Sequence, residues 1–144
     1  AQDDKAFNGR VMTAAEFASW RSRELFSPSS LAGNQRIIVA PVHAIQREAR
    51  VFIVGGEPVA WSTYRMGGMV AYSPDVDRDF IGFAAEAART WSPALAYALD
   101  VAMTEGGLRI VEANQFGSAA LYAADVQRIV MAVESLDAGR SFRP

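Results

Sequence analysis

The chain has 144 residues and a net charge of −2, with 51% hydrophobic and 21% charged residues, the balance of a folded domain rather than a disordered tail. A chain of this length can bury roughly two thirds of its surface, so one domain over residues 1–144 is the default. The near-neutral charge offers no clustered cationic face for nucleic acid, no apolar run reaches the roughly 18 residues of a membrane span, and the absence of cysteine excludes disulfides, thiolate metal sites and cysteine nucleophiles.

The first readable element begins at Thr13. Glu16 follows at capping-box spacing, and Phe17, Trp20 and Leu25 recur at helical intervals, which predicts a helix over 14–25. Ser27 to Asn34 is rich in turn formers and reads as a loop. Ile37-Ile38-Val39 and Arg50 to Val54 are dense in β-branched and aromatic residues and read as strands. Gly55-Gly56 supplies the positive φ values of a tight turn, so Val51–Val54 should pair antiparallel with Pro58–Tyr64.

Met66 to Asp77 carries Gly67-Gly68 and Ser73-Pro74-Asp75 and reads as a mobile loop suited to closing over a site. Phe80, Phe83, Ala84 and Ala87 then share one helical face between Arg78 and Thr90. Leu95–Met103 and Leu108–Ala113 read as a second hairpin about Thr104 to Gly107. Val126, Ile129, Val130 and Val133 predict a last helix over 121–136. This order predicts an α+β domain, a mainly antiparallel sheet with helices packed on one face.

The strongest chemical constellation lies on the second hairpin. Glu112 and Asn114 are two apart on one strand and leave it on the same face. A three-residue loop at Glu105-Gly106-Gly107 would set Thr104 opposite Leu108 and Asp100 opposite Glu112. Two carboxylates and an amide carbonyl without thiolate or imidazole form a hard-oxygen set for Mg²⁺ or Mn²⁺ rather than zinc. Magnesium shares its shell with phosphate oxygens, which implies a nucleotide. The competing reading is a pair of cross-strand polar residues on a solvated face, since a slip of one residue would part them.

Other candidates have plainer readings. Glu48 and Arg50 leave a strand on one side, either toward a ligand or in surface ion pairs with Arg47 or Arg65. Arg65 borders the glycine loop, where a guanidinium can clamp an anionic oxygen bidentately. His43, the single histidine, has no carboxylate at readable spacing and reads as structural. Neither Gly67-Gly68 nor Gly106-Gly107 has the lysine and hydroxyl of a Walker motif. Trp20, Trp61 and Trp91 read as core or subunit contacts. Asp125 fits a helix cap as well as a site edge shared with Tyr122.

The run Val111-Glu112-Ala113-Asn114-Gln115-Phe116-Gly117-Ser118, followed by Leu121-Tyr122-Ala123-Ala124-Asp125-Val126, resembles the closing signature of ATP-grasp domains. The likeness is greatest to the small phage and bacterial clade marked by characteristic arginines and lysines. Lys5-Ala6-Phe7-Asn8-Gly9, Glu48-Ala49-Arg50-Val51-Phe52, Ser62-Thr63-Tyr64-Arg65 and Leu99-Asp100-Val101 stand in the corresponding order, so the resemblance covers nearly the whole chain.

The resemblance implies that Asp100, Glu112 and Asn114 hold the metal and that Lys5 contacts phosphate. It sets adenine near Val39-Ala40-Pro41-Val42, the ribose hydroxyls on Glu48, and phosphate or acyl phosphate against Arg50, with Arg65 assisting. It further implies a catalytic C-terminal portion of a longer protein, whose acceptor site is completed by a region before Ala1. The expected activity is ATP- and Mg²⁺-dependent joining of a small-molecule or peptide carboxylate to an amine or similar nucleophile, in the cytoplasm, by a possible homo-oligomer. Two other readings stand beside it: a nucleotide-binding fragment without turnover, and a ligand-free α+β interaction module.

Overall fold

Thr13 opens the first helix as its spacing requires. Its backbone N–H and its hydroxyl both donate to Glu16 Oε2, at 2.7 and 2.8 Å, and Glu16 N–H donates back to Thr13 Oγ1 at 3.3 Å. This reciprocal box satisfies N–H groups that a helix start leaves open. The helix α1 runs Ala14–Phe26, with Phe17 and Trp20 rings 5.7 Å apart. The computed structural model describes residues 9–26 and 37–140, and the chain divides into two compact units, Ala1–Val42 and His43–Pro144. In the first unit Trp20 is buried and helps line a cavity of about 600 Å³ with Val11, Phe17, Ile37, Val39 and Val42.

Residues 37–44 form no strand, contrary to the reading of Ile37-Ile38-Val39. Ile38 is 96% exposed. Strand propensity is realised only against a partner, and this run pairs with no described strand.

The second unit is built on a sheet of order β3-β2-β1-β4-β5. Its strands are β1 (Ile45–Val54), β2 (Glu57–Met66), β3 (Met69–Ser73), β4 (Ala96–Thr104) and β5 (Gly107–Gln115), and every neighbouring pair is antiparallel. Gly55 and Gly56 take φ of 62° and 88°, the mirror-image turn that suits a twisted hairpin.

The same device recurs at Gly67 and Gly68, with φ of 56° and 80°. The expected loop from Met66 to Asp77 is therefore corrected: its first half is a second hairpin turn and the edge strand β3. Met69-Val70-Ala71-Tyr72 carried the strand-forming residues for it.

Helix α2 (Arg78–Thr90) has the predicted bounds and buries Phe80, Ala84 and Ala88 against Ala49, Val51, Ile53, Leu99 and Val101. Alternation along β1 turns Phe52 to the opposite face, where it clusters with Ala60, Ala98, Ala124 and Ile129. The α+β class stands, with the second face covered by the segment that follows β5. That segment is a short 3₁₀ turn, Phe116–Ser118, and then helix α3, Val126–Arg140.

Helix α3 starts five residues later than expected. Tyr122 has φ of 52°, a left-handed conformation that no right-handed helix contains, and Ala124 N–H closes a turn on Leu121 O at 3.0 Å. Asp125 then caps the helix, its Oδ1 accepting from Arg128 N–H at 3.1 Å. Trp61 packs on the α2-side core beneath the Arg128 guanidinium, while Trp91 is exposed. Among the described residues no helix is long and apolar enough to cross a membrane.

Candidate functional site

The β4–β5 hairpin sets Asp100 opposite Glu112, by a route the sequence reading did not foresee. Thr104 pairs with Gly107, so the turn holds two residues, Glu105 and Gly106, rather than three. That turn alone would place Val111 opposite Asp100. The ladder instead shifts by one between Val101 and Asp100, leaving Val111 as the extra residue of a bulge. Turn and bulge offset one another, and the carboxylates end on one face.

Asn114 joins them. Its Nδ2 donates to Asp100 Oδ2 at 3.1 Å and to Glu112 Oε1 at 3.0 Å. Among the described residues no three of His, Cys, Asp and Glu gather as a metal cluster; here the third member is an amide.

Asp100 is only 2% exposed and has a cationic partner that spacing could not reveal. Arg50 Nε donates to Oδ1 and Nη2 to Oδ2, each at 2.8 Å, while Nη1 donates to Ala120 O at 3.2 Å. A bidentate, nearly dry pair of this kind keeps the guanidinium charged: the Asp100 hydrogen bonds push Arg50 above its ordinary pKa. Burial pushes the Asp100 carboxyl above its ordinary value, against the pull of Arg50 and with the added repulsion of Glu112 and Glu48. Of the two ion pairs anticipated for Glu48, the one with Arg65 forms at 3.9 Å, whereas Arg47 pairs with Asp77 at 2.7 Å.

Beside these charges lies an aromatic group of which the sequence reading set only Tyr122 at a site edge. Tyr122 stacks on Tyr64 and on Tyr72, each at 5.1 Å between centroids, and the Arg50 Cζ stands 5.0 Å from the Tyr122 ring. Ser62, paired with Arg50 across β1 and β2, accepts the Ala123 N–H on its hydroxyl at 3.1 Å, which ties the Tyr122 turn to the sheet. The charged residues Glu48, Arg50, Arg65, Asp100 and Glu112 and the three tyrosines together line a cavity of about 400 Å³. Tyr122 was signalled as a site-edge residue and Tyr64 as a strand residue, whereas Tyr72 joins them through the unforeseen strand β3.

Burial raises the Tyr64 phenol far above its ordinary value of 10.0, and the nearby Asp100 charge and the hydrogen bond to Glu48 act in the same direction. A phenol whose folded pKa is raised leaves stability intact below about pH 10. Above it the unfolded chain loses the proton that the folded chain keeps, so stability falls as pH rises. Phenolate absorbance near pH 11 should therefore be the same in wild type and Tyr64→Phe while both stay folded. A smaller phenolate signal in the variant would show that Tyr64 titrates normally.

The remaining candidates are placed as follows. Val39, Ala40 and Val42 are exposed along the cavity of the first unit, and not on a strand as expected. Lys5 lies outside the described residues. Glu48 and Arg50 are buried on one side of β1, as their spacing required. His43 does find a carboxylate, Glu105 Oε1 at 3.0 Å, 62 residues away in sequence and at the exposed end of the β4–β5 hairpin.

With two carboxylates and an amide gathered on one hairpin, the paired arginine and an antiparallel sheet backed by helices in place, comparison with known families is decisive. The model of an ATP-grasp domain family, family 3 of the clade marked by characteristic arginines and lysines, matches residues 1–133, and the chain belongs to that family. A search of the curated proteins finds no match.

Proposed function

We propose that the protein is an ATP-dependent ligase that activates a carboxylate as an acyl phosphate and passes it to an amine or similar nucleophile. The observation that carries this reading is the meeting of Asp100, Glu112 and Asn114 around one point, in a chain of a family whose members bind ATP and are broadly ligases.

The donor set suits a divalent cation. Asp100 Oδ2 and Glu112 Oε1 both face the Asn114 amide, and a half-turn of that amide exchanges its N–H₂ for a carbonyl oxygen. Three hard oxygens then face one another, an arrangement favourable only around a cation of the Mg²⁺ type. Arg50 holds Asp100 in place for that role and favours its ionised form. When bound, Mg²⁺ supplies neutralisation of the phosphate charge.

In the reaction an acceptor carboxylate oxygen attacks the γ-phosphorus. The new O–P bond forms as the β,γ-bridging bond breaks, and its electron pair leaves with ADP. The amine then attacks the acyl carbon, inorganic phosphate departs with the C–O electron pair, and the ammonium proton passes to solvent. Arg65 and Arg50 offer guanidinium charge to the oxygens that become more negative. Glu48 accepts from the ribose hydroxyls, Lys5 contacts phosphate, and Val39, Ala40 and Val42 flank the adenine.

Calorimetric titration with Mg-ATP tests the proposal. Wild type should bind, and Glu112→Ala should lose about tenfold or more in affinity, ~1.4 kcal/mol, with unchanged circular dichroism because Glu112 is not in either buried cluster. Equal affinity of the two proteins would remove the metal from this hairpin. Mg-ATP binding without ADP release in the presence of any acid would make the chain a nucleotide-binding unit rather than a complete ligase.

A further inference from the structure

We infer that the acceptor acid docks its carboxylate on Arg65 and is a monocarboxylate with an apolar, flat body, which lies on Tyr72 and Val70. This rests on the ligase reading above and names the substrate class for the same cavity.

Two guanidinium groups line that cavity, and they are in different states. Arg50 is committed at each of its three nitrogens: Nε and Nη2 are on Asp100 and Nη1 is on Ala120 O, and the residue is 7% exposed. Arg65 has a side chain 49% exposed and a nearest carboxylate oxygen at 3.9 Å, beyond hydrogen-bond reach. Its planar fork therefore retains the donors that a carboxylate takes bidentately. Of the two arginines, Arg65 is the one with an exposed fork for an incoming carboxylate.

What surrounds Arg65 restricts the rest of the molecule. Val70 is its direct cross-strand partner, and such pairs hold their side chains about 5 Å apart at Cβ. Tyr72 is two residues along β3 from Val70 and shares its face. Both are largely exposed, at 65% and 61%, and both line the cavity. Edge strands ordinarily carry charge to prevent unwanted pairing, whereas Met69-Val70-Ala71-Tyr72 carries none.

The Tyr72 ring is also held in place before any ligand arrives, being stacked on Tyr122 at 5.1 Å with an interplanar angle of 24°. A fixed aromatic surface loses little freedom on binding. The Tyr122 backbone, at φ of 52°, is kept in a left-handed conformation that ordinary residues avoid, the kind of local strain found at functional positions.

The other charged residues of the cavity set the charge of that body. Glu48, Asp100 and Glu112 would repel a second carboxylate on the substrate. A single carboxylate joined closely to an uncharged planar or branched apolar group satisfies Arg65, Val70 and Tyr72 together.

Ligand-observed NMR titrations of acetate, succinate and phenylacetate, run with and without Mg-ATP, test the inference on wild type, Tyr72→Ala and Arg65→Gln. Phenylacetate should bind wild type at least tenfold more tightly than either other acid. Tyr72→Ala should bring the three within about threefold, and Arg65→Gln should weaken phenylacetate by tenfold or more. Both side chains are largely exposed, so the variants should fold; Tyr72→Leu provides a second apolar surface without a ring and should retain part of the preference. Equal affinities for the three acids in wild type, or a preference untouched by Tyr72→Ala, would overturn the inference. Absence of Mg-ATP binding would instead sink the ligase reading, while the ranking of acids in the nucleotide-free titrations still decides this one.

Discussion

Replacing Asp100 with alanine should destabilise the protein by about 3–5 kcal/mol, a large share of the roughly 5–15 kcal/mol that holds a domain folded. Asp100 and Arg50 are 2% and 7% exposed, and their two 2.8 Å hydrogen bonds satisfy one another's charge. Without the carboxylate, Arg50 is left in a nearly dry place with only the Ala120 carbonyl among its hydrogen-bond acceptors. The cost is that of a stranded cation, not the net worth of the pair. The double variant Arg50→Met with Asp100→Leu should accordingly recover much of the loss, because no buried charge remains. Urea midpoints for the two single variants and the double variant measure this directly. A loss under about 1 kcal/mol for Asp100→Ala would mean that Arg50 reaches water by a small rearrangement. Glu112 lies in neither buried cluster, so Glu112→Ala should leave stability nearly unchanged where Asp100→Ala does not.

Phe52→Ala should cost about 3–5 kcal/mol, the range for removing a buried phenyl group. Phe52 is fully buried and meets the Phe116 ring edge-on at 6.1 Å and 85°, in the cluster with Ala60, Ala98, Ala124 and Ile129. Its small neighbours cannot expand into the space it leaves. The effect should also reach the site, because this cluster fastens to the sheet the segment that carries Ala120 O and Tyr122. Hydrogen exchange in residues 116–125 should quicken in the variant more than exchange in α2, which packs on the other face. Phe52→Leu should cost less and leave that segment protected. Uniform acceleration across both faces would show that the two clusters open together.

Local chemistry made much of this architecture legible. The Thr13–Glu16 box, the Gly55-Gly56 turn, the periodicity of α2 and the two-residue spacing of Glu112 and Asn114 each depend on neighbours in sequence, and each appears in the structure. The ATP-grasp resemblance likewise agrees with the family match. Long-range partners were not legible. Nothing near Arg50 in the chain indicates Asp100, 50 residues on, and the tyrosine stack unites two strands and a left-handed turn. The β4–β5 register was right through two unrecognised departures, a shorter turn and a bulge at Val111. Strand β3 was missed because its glycine turn was taken for a lid, although Gly55-Gly56 offered the pattern. At Ile37–Val39 propensity pointed to a strand that had no partner to complete it.

Strand β1 lies at the centre of the sheet, and Glu48, Arg50 and Phe52 project from the same side of it. Along that row the side chains pass from buried acid to tethered base to oil in about 13 Å of backbone. The buried ion pair and the apolar cluster therefore share one length of central backbone. Loss of the Arg50–Asp100 pair and loss of the packing around Phe52 should follow one and the same melting curve.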